Sequence, residues 1–544
     1  MGLGRTLLRP VAWLAGVHAS RQLRAFLRAH ERTAEVQEDL RRRLVAAHAG
    51  SEFGKDHGFE RIRSYEDFRS AVPVRSYEQL APYVQRVLDG RTEALLPPGE
   101  PALMFSMTSG TTGRPKHIPV TRAFLRSMRR GWNIWGMAAL RDHRAAWLRK
   151  IVTITSSMRE SESPCGAPCG AISGLLAATQ KRIVRRMYVV PREVAEIHEA
   201  PAKNYAILRA SVARDVAMIF TANPSTTIRL AETAEEHRER LIRDVRDGTF
   251  APPGEVPQAA RQAMRFRPAP ELARRLEESA RRDGRLLPRH FWLLAFVGNW
   301  TGGTLKLYLP RLRELYGDVP VRDIGLLASE GRFTVPLADG SPAGVAEITD
   351  NFLEFIPAAQ RGRENPDVLR VHELEPGGEY FLLFSNWTGL FRYDLDDRIR
   401  VTGRLGQSPV MEFLSRGAST ANITGEKLTE HQVVEAMRLA GRKLARPVER
   451  FIVQGRFAAL PYYELRLEAD PASAAAVAAA LDDALAELNM EYRSKRKSDR
   501  LGAIRPVLLP AGTLQREEER RIVERRGRGE QYKHQYLLAE VIRE

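Results

Sequence analysis

Only two cysteines occur in the 544 residues. That excludes a disulfide scaffold. The pair, Cys165 and Cys169, lies in Pro-Cys-Gly-Ala-Pro-Cys-Gly with no Cys or His cluster beside it, so a metal would lack its remaining ligands. Long apolar runs are missing as well. Arginines near the start precede Val11-Ala12-Trp13-Leu14-Ala15-Gly16-Val17, which is too short to span a bilayer and has no convincing cleavage site. An amphipathic N-terminal helix packed on the body is expected there. No other stretch approaches transmembrane length, so stable membrane insertion is not expected, and the cytoplasm is the natural compartment. There are no internal repeats and no Gly-x-x-x-x-Gly-Lys-Ser/Thr phosphate loop.

At 544 residues, the chain is too long for one core and calls for two or more domains. Hydrophobic residues at 43% and charged residues at 28% describe an ordinary globular protein. The formal charge is +17, from 84 Lys+Arg against 67 Asp+Glu. Such a balance permits contact with nucleic acid, but the arginines are spread along the chain among glutamates and no DNA- or RNA-binding signature accompanies them. A nucleic-acid partner is therefore not expected. A small polyanion would be attracted by the same surface.

The stretch that orders the rest is Ser106-Met107-Thr108-Ser109-Gly110-Thr111-Thr112-Gly113-Arg114-Pro115-Lys116. The apolar residues 102–105 lead into it and read as a buried strand, and 121–130 follows with helix-compatible spacing. Glycines let the backbone turn tightly and bring its N–H groups to a ligand. Hydroxyls donate to oxygens, and Lys116 adds a mobile positive charge. The combination suits a polyphosphate; a plain Ser/Thr/Gly turn is the alternative.

Residues 31–48 read as an amphipathic helix with Val36, Leu40, Leu44 and Val45 on one face. Residues 122–148 are expected as helix, with Trp132, Trp135 and Trp147 in the core. A glycine-rich segment ends in Gly170-Ala171-Ile172-Ser173-Gly174, where close approach could serve a ligand, a helix or a crowded turn. The runs 216–220, 291–297 and 324–328 suit a parallel sheet covered on both faces, and a helix over 305–316 makes the last two a βαβ unit. Ligands bind outside the carboxyl ends of such strands, which places 298–303 and 328–331 at a site. Segments 351–357 and 379–384 read as strands of a more β-rich region. Tyr393-Asp394-Leu395-Asp396-Asp397 crowds three carboxylates into four residues, which repel unless solvated or paired; one could hold a ribose diol. Beyond 411–417 the elements shorten: helix 428–441, strands 450–454, 462–468 and 503–509, and an alanine-rich helix 473–488. The fold class is therefore α/β, with a large N-terminal domain over 1–415, built of mixed sheets and flanking helices, and a small mobile α+β domain over 416–544.

The phosphate loop, Ala328-Ser329-Glu330-Gly331 and Tyr393 to Asp397 follow one another as the three nucleotide motifs of adenylate-forming enzymes do. More closely, the chain resembles the Gretchen Hagen (auxin-responsive promoter) family of acyl acid amido synthetases. Further support comes from Tyr308-Leu309-Pro310, Asn351-Phe352-Leu353-Glu354-Phe355-Ile356-Pro357, Gly389-Leu390-Phe391-Arg392-Tyr393, Arg400-Val401-Thr402-Gly403 and the terminal Gln531-Tyr532-Lys533. The resemblance runs from about residue 31 to the end. Arg114-Pro115-Lys116 departs toward the acyl-CoA synthetase form, and the motif at 393–397 carries three acids where the family has one.

The resemblance implies ATP and Mg2+ as cofactors, and a carboxylic acid and an amine or amino acid as partners. The acid would become an acyl-adenylate and then an amide. In that scheme Ser109, Gly110, Thr111, Thr112 and Gly113 hold the outer phosphates and Lys116 neutralises them. Glu330 is the metal ligand. Ala328 and Ser329 border adenine and acyl group, Tyr393 flanks the base and Asp397 takes the ribose hydroxyls. Arg416 lies at the hinge, Lys427 just beyond it, and Lys533 is the mobile C-terminal lysine. Lys116, Lys427 and Lys533 are the catalytic candidates; Asp394 and Asp396 are left unexplained. The acid pocket is expected among 172–176, 222–225 and 296–301, lined for an aromatic or apolar acid. Transfer to a thiol, such as CoA or a carrier-protein arm, is the alternative reaction. A nucleotide binder without activity and a nucleic-acid binder are the further rivals.

Overall fold

Runs of valine, isoleucine and phenylalanine are what a sheet covered on both faces selects. The strands Lys150–Thr153, Val216–Phe220, Phe296–Asn299 and Val321–Asp323 meet in that way, all parallel and in chain order. The computed structural model describes residues 3–108, 116–417, 420–421, 423–424, 426, 428–458, 460–497, 501–524 and 534–543. These fall into two compact units, the first of Met1–Thr301 with Arg311–Glu412, the second of Gly302–Pro310 with Phe413–Glu544.

Two of the expected parallel strands shift. The 291–297 run contributes only from Phe296; Leu293 is 77% exposed, and the preceding residues connect a 3-10 turn at Pro288–His290 to the sheet. The last strand is Val321–Asp323 rather than 324–328. Gly325, at φ +87°, turns the chain out of the sheet, and a side chain there would strike the Thr334 carbonyl at 2.4 Å. Leu327–Ala328 then pairs antiparallel with Gly331–Arg332.

A second sheet runs Lys116–Val120, Met104–Thr108, Pro168–Gly170, Ser161–Glu162. The third has seven strands, ordered Thr334–Val335, Gly344–Ala346, Ser408–Arg416, Tyr393–Leu405, Glu379–Ser385, Phe352–Pro357, Leu369–Arg370. Its inner side meets the helix Thr33–His48, whose Leu40, Leu44 and Val45 share one core with Phe352, Phe384 and Tyr393.

The helix Arg122–Asp142 carries buried residues at Phe124, Leu125, Met128, Gly131, Ile134, Trp135, Ala138 and Ala139, the spacing of a core-facing stripe. The Thr121 hydroxyl caps it, accepting from the Phe124 N–H at 3.0 Å. The helix ends at Asp142, short of the expected 148. Trp135 is buried, Trp132 packs beside it, and Trp147, expected in the core, is 38% exposed. The helix Leu3–Ala29 lays Leu23 and Phe26 on the same cluster as Ile134 and Trp135. Gly170 is a crowded backbone contact: a Cβ there would lie 2.4 Å from the Met158 carbonyl.

In the second unit, a sheet ordered Arg505–Leu508, Tyr462–Leu467, Phe451–Phe457, Leu537–Arg543 packs on the helices Glu430–Lys443 and Pro471–Leu488. The helices Met490–Lys497 and Thr513–Glu524 and the strand Leu537–Arg543 had no counterpart in the sequence reading.

Candidate active site

The phosphate-loop motif is the connection of a β-hairpin. Met104–Thr108 and Lys116–Val120 pair antiparallel, with Thr108 opposite Lys116. Ser109, Gly110, Thr111, Thr112 and Gly113 lie outside the described residues. Lys116 is thus the first residue of the return strand, and that strand intervenes before the helix at Arg122.

Three chain segments meet around Lys116. Its ammonium donates to the Tyr393 hydroxyl at 3.3 Å. It also lies 5.3 Å from the Tyr77 ring centroid and 5.9 Å from that of Tyr393, within cation–π reach of both. Backbone pairing brings the two tyrosines there. The Arg75 N–H donates to the Arg392 carbonyl at 3.0 Å, and the Asp394 N–H donates to the Arg75 carbonyl at 2.8 Å. The Tyr77 hydroxyl accepts from the His117 N–H at 2.8 Å, tying the same segment to the hairpin. Burial raises the Tyr77 phenol pKa, the hydrogen bond with the His117 backbone opposes the rise, and the Glu330 charge adds to it.

Ala328 pairs with Gly331, so Ser329 and Glu330 form the two-residue turn of a small antiparallel ribbon, not the end of a parallel strand. Both turn residues are buried. The Asn386 side-chain amide donates to the Glu330 carbonyl at 2.8 Å and to the Asn351 Oδ1 at 3.0 Å. Asn351 in turn donates to the Arg332 carbonyl at 2.7 Å and to Glu347 at 3.0 Å. Burial, with Asp350 beside it, pushes the Glu347 carboxyl above the usual carboxylate range. This amide pair holds both ends of the ribbon. Asn351 and Tyr77 carried no local signal in the sequence beyond, for Asn351, the family-like stretch it opens.

Tyr393 is buried and sits edge-on to Phe384 with ring centroids 5.3 Å apart. Asp397, four residues on in the same strand, is 3% exposed. Asp394 and Asp396 share one partner: Arg361 reaches Asp394 at 2.5 Å and Asp396 at 2.6 Å. Arg416 closes the strand Ser408–Arg416 and belongs to the second unit. Lys427 and Lys533 lie outside the described residues. Next to Lys427, the buried Glu426 carboxylate accepts from the Ile423 N–H, the Thr424 N–H and the Thr424 hydroxyl, each at 2.9 Å, and from the Tyr463 hydroxyl.

At the carboxyl ends of the parallel strands the polar groups serve one another. Asp323 accepts from the Thr301 N–H and hydroxyl at 2.5 and 2.8 Å and from the Gly325 N–H at 2.6 Å, and burial pushes its carboxyl up to about 6. The Asn299 amide donates to the Thr221 carbonyl at 2.9 Å.

The GH3 family N-terminal domain matches residues 22–321, its central domain residues 345–416 and its C-terminal domain residues 431–541. The chain belongs to the GH3 family. A jasmonoyl–L-amino acid synthetase of Oryza sativa subsp. japonica is 25% identical over 539 residues, covering 88% of each chain. An indole-3-acetic acid-amido synthetase of Arabidopsis thaliana is 25% identical over 540 residues, covering 90% of each. The solved structure of the GH3.15 acyl acid amido synthetase superposes with a TM-score of 0.82 at 19% identity, covering 95% of this chain and 94% of that one. The GH3 fold is therefore shared over 95% of the chain. The resemblance read from the phosphate loop, the Ser329-Glu330 turn and the Tyr393–Asp397 motif is borne out at the level of family, fold and enzyme class.

Proposed function

We propose that this chain joins a carboxylic acid to ATP as an acyl-adenylate and passes the acyl group to the amine of an amino acid, giving an amide and AMP. The observation that carries the reading is the contact of Lys116 with Tyr393, which joins the last residue of the phosphate-loop motif to the strand expected to hold ribose. A carboxylate is a poor electrophile, and joining it to AMP supplies a leaving group. Attack of the carboxylate oxygen on the α-phosphorus expels pyrophosphate and builds negative charge that fixed donors must meet.

In this scheme Ser109, Gly110, Thr111, Thr112 and Gly113 hold the β- and γ-phosphates and Lys116 neutralises them. Ala328 and Ser329 border the adenine and the acyl group, Tyr393 flanks the base, and Asp397 accepts from the ribose hydroxyls. Arg416 reaches toward ribose or α-phosphate. Lys427 and Lys533 bring positive charge from the smaller domain, 416–544, which turns between the half-reactions as lids do. The amine lone pair then attacks the acyl carbon and AMP leaves, so no side-chain nucleophile is required.

Magnesium suits the donor set. It takes one or two carboxylates and completes its shell with phosphate oxygens and water. Glu330 is one buried carboxylate, and among the described residues no three His, Cys, Asp or Glu side chains could hold a metal by themselves. Glu330 would hold the ion, which supplies charge neutralisation on the phosphates. We place the enzyme in the cytoplasm from its cysteine usage; among the described residues no helix is long and apolar enough to cross a membrane.

ATP–pyrophosphate exchange over a panel of aromatic and aliphatic acids, indole-3-acetate and jasmonate among them, tests the first half-reaction. Mass spectrometry with amino acids, and in parallel with CoA, tests the second. Exchange with at least one acid and an amide product are expected. Exchange with none of the acids would sink the adenylation reading, and acyl-CoA in place of amide would transfer the second step to a thiol.

A further inference from the structure

Three carboxylates in four residues are an electrostatic liability, and the strand that bears them is also distorted. Leu383 pairs with Asp394 and Phe381 with Arg398, so Leu382 alone faces Leu395, Asp396 and Asp397. The surplus residues form a bulge, which re-aims side chains near sites. Asp396 takes it up at φ +62°, the left-handed region that non-glycine residues enter at a cost. What holds this conformation is visible. Arg361 leaves the short helix Ala358–Gln360 and bridges Asp394 through Nη1 at 2.5 Å and Asp396 through Nη2 at 2.6 Å. Its guanidinium lies 4.4 Å from the ring centroid of Phe381, the residue where normal pairing resumes. The Asp396 N–H donates to Asp394 Oδ1 at 2.9 Å and closes the loop of contacts. Burial and the neighbouring carboxylates, Asp397 among them, raise the Asp396 carboxyl, while Arg361 opposes the rise.

We propose that Arg361, gripping Asp394 and Asp396, is a positioning residue that sets the bulge and so aims Asp397 at the ribose of ATP. The inference rests on the reading of Asp397 as the ribose acid. Arg361 sets one positive charge between Asp394 and Asp396 and so offsets one of the three negative charges, lets the left-handed turn at Asp396 persist and leaves Asp397 on the buried side of the strand. Without the guanidinium, the three carboxylates repel and the turn relaxes. The two extra acids of this motif are thereby accounted for: together with Arg361 they form a clamp.

The test is equilibrium binding of Mg-ATP and Mg-3′-deoxyATP by calorimetry to the full chain, which needs no knowledge of the acid. A carboxylate that accepts from the ribose hydroxyls should prefer ATP by about tenfold or more. Asp397→Asn should abolish that preference. Arg361→Gln should cut it to about twofold, and Arg361→Gln with Asp396→Gly should recover most of it, because glycine tolerates the left-handed turn and removes one repelling charge. Circular-dichroism melts of each variant show whether the chain is folded. If Asp397→Asn leaves the preference intact, Asp397 is not the ribose acid, and the inference falls with that reading. If Asp397→Asn abolishes it but folded Arg361→Gln keeps it, the ribose acid stands and the clamp is overturned. If folded Arg361→Gln loses the preference and the double variant recovers none, the bulge is not what Arg361 maintains, and the clamp is again overturned.

Discussion

Lys116 donates to the Tyr393 hydroxyl across 3.3 Å although 277 residues separate them in the chain. One end of the contact begins the strand that follows the glycine-rich hairpin, and the other begins the strand that carries Asp397. Removing the ammonium should therefore cost more than removing the hydroxyl. Lys116→Ala is expected to lower pyrophosphate exchange by about 100- to 1,000-fold, the scale of losing one preorganised charge donor. Tyr393→Phe keeps the ring and should cost about tenfold or less. Equal losses from both variants would mean that the lysine acts only through its hydrogen bond to the Tyr393 hydroxyl.

Tyr77 supports the same ammonium from another side. Its ring faces Lys116 at 5.3 Å and its hydroxyl accepts from the His117 N–H. Tyr77→Phe preserves the ring and removes the tie to the hairpin, so exchange should fall by a few fold at most. Tyr77→Leu removes the π face as well and should fall further, by about another fivefold. The check is the KM for ATP in exchange assays, which should rise while the KM for the acid stays unchanged.

That Tyr77 escaped the sequence reading has a physical reason. The motifs at 106–116, 328–331 and 393–397 announce themselves because glycine, hydroxyl and charge lie together locally. Tyr77 owes its place to Arg75, which joins the 392–394 backbone through two hydrogen bonds that no local pattern encodes. The short strands Leu327–Ala328 and Gly331–Arg332 are hidden for a related reason. Ile324 to Ala328 is apolar throughout, and only the positive φ of Gly325 separates the end of the parallel sheet from the start of the ribbon. Amphipathic spacing over 31–48, by contrast, locates the helix Thr33–His48 to within two residues and picks out its buried Leu40, Leu44 and Val45. Asp394 and Asp396 were visible but unexplained, because their partner Arg361 lies 33 and 35 residues upstream.

Just before Tyr393, Arg392 forms a fully buried ion pair with Glu354. The side chains are 3% and 0% exposed, and Arg392 Nε reaches both carboxylate oxygens at 3.1 and 3.0 Å. Tyr65 donates to the same carboxylate at 2.9 Å, and Arg392 Nη1 donates to the Val72 carbonyl at 2.8 Å. Removing one partner strands a charge in the core. Glu354→Gln should destabilise the protein by about 3–5 kcal/mol in urea unfolding, whereas Glu354→Leu with Arg392→Met should cost clearly less. A double variant as unstable as the single one would show that geometry at Arg392, with its φ of +47°, matters more than the charge.

Acid should act first through buried histidine. His48 donates from Nδ1 to the Leu44 carbonyl at 2.8 Å, and its ring meets Phe391 edge-on at 5.0 Å. Its Nε2 is buried and has no hydrogen-bond partner among the described residues. Burial pulls its pKa from 6.5 down to about 4, and His30, beside Phe26 and Ser408, falls to about 4 for the same reason. Both are lowered on folding, so the unfolded chain takes up protons first. Their contribution is complete above pH 6.5 and is lost as pH falls from 6.5 toward 4. For one such histidine the loss by pH 5 is about 2 kcal/mol. Asp323, whose carboxyl is pushed up to about 6, and Glu347, also raised, pull the opposite way, so the slope of the wild-type chain alone does not isolate the effect. The comparison that does is His48→Asn, which can keep the donor to Leu44 and cannot titrate. Urea unfolding at pH 7 and pH 5 should show the wild type losing about 2 kcal/mol more than the variant between the two. Parallel losses in both proteins would mean that water reaches Nε2 and that the ring can charge in place.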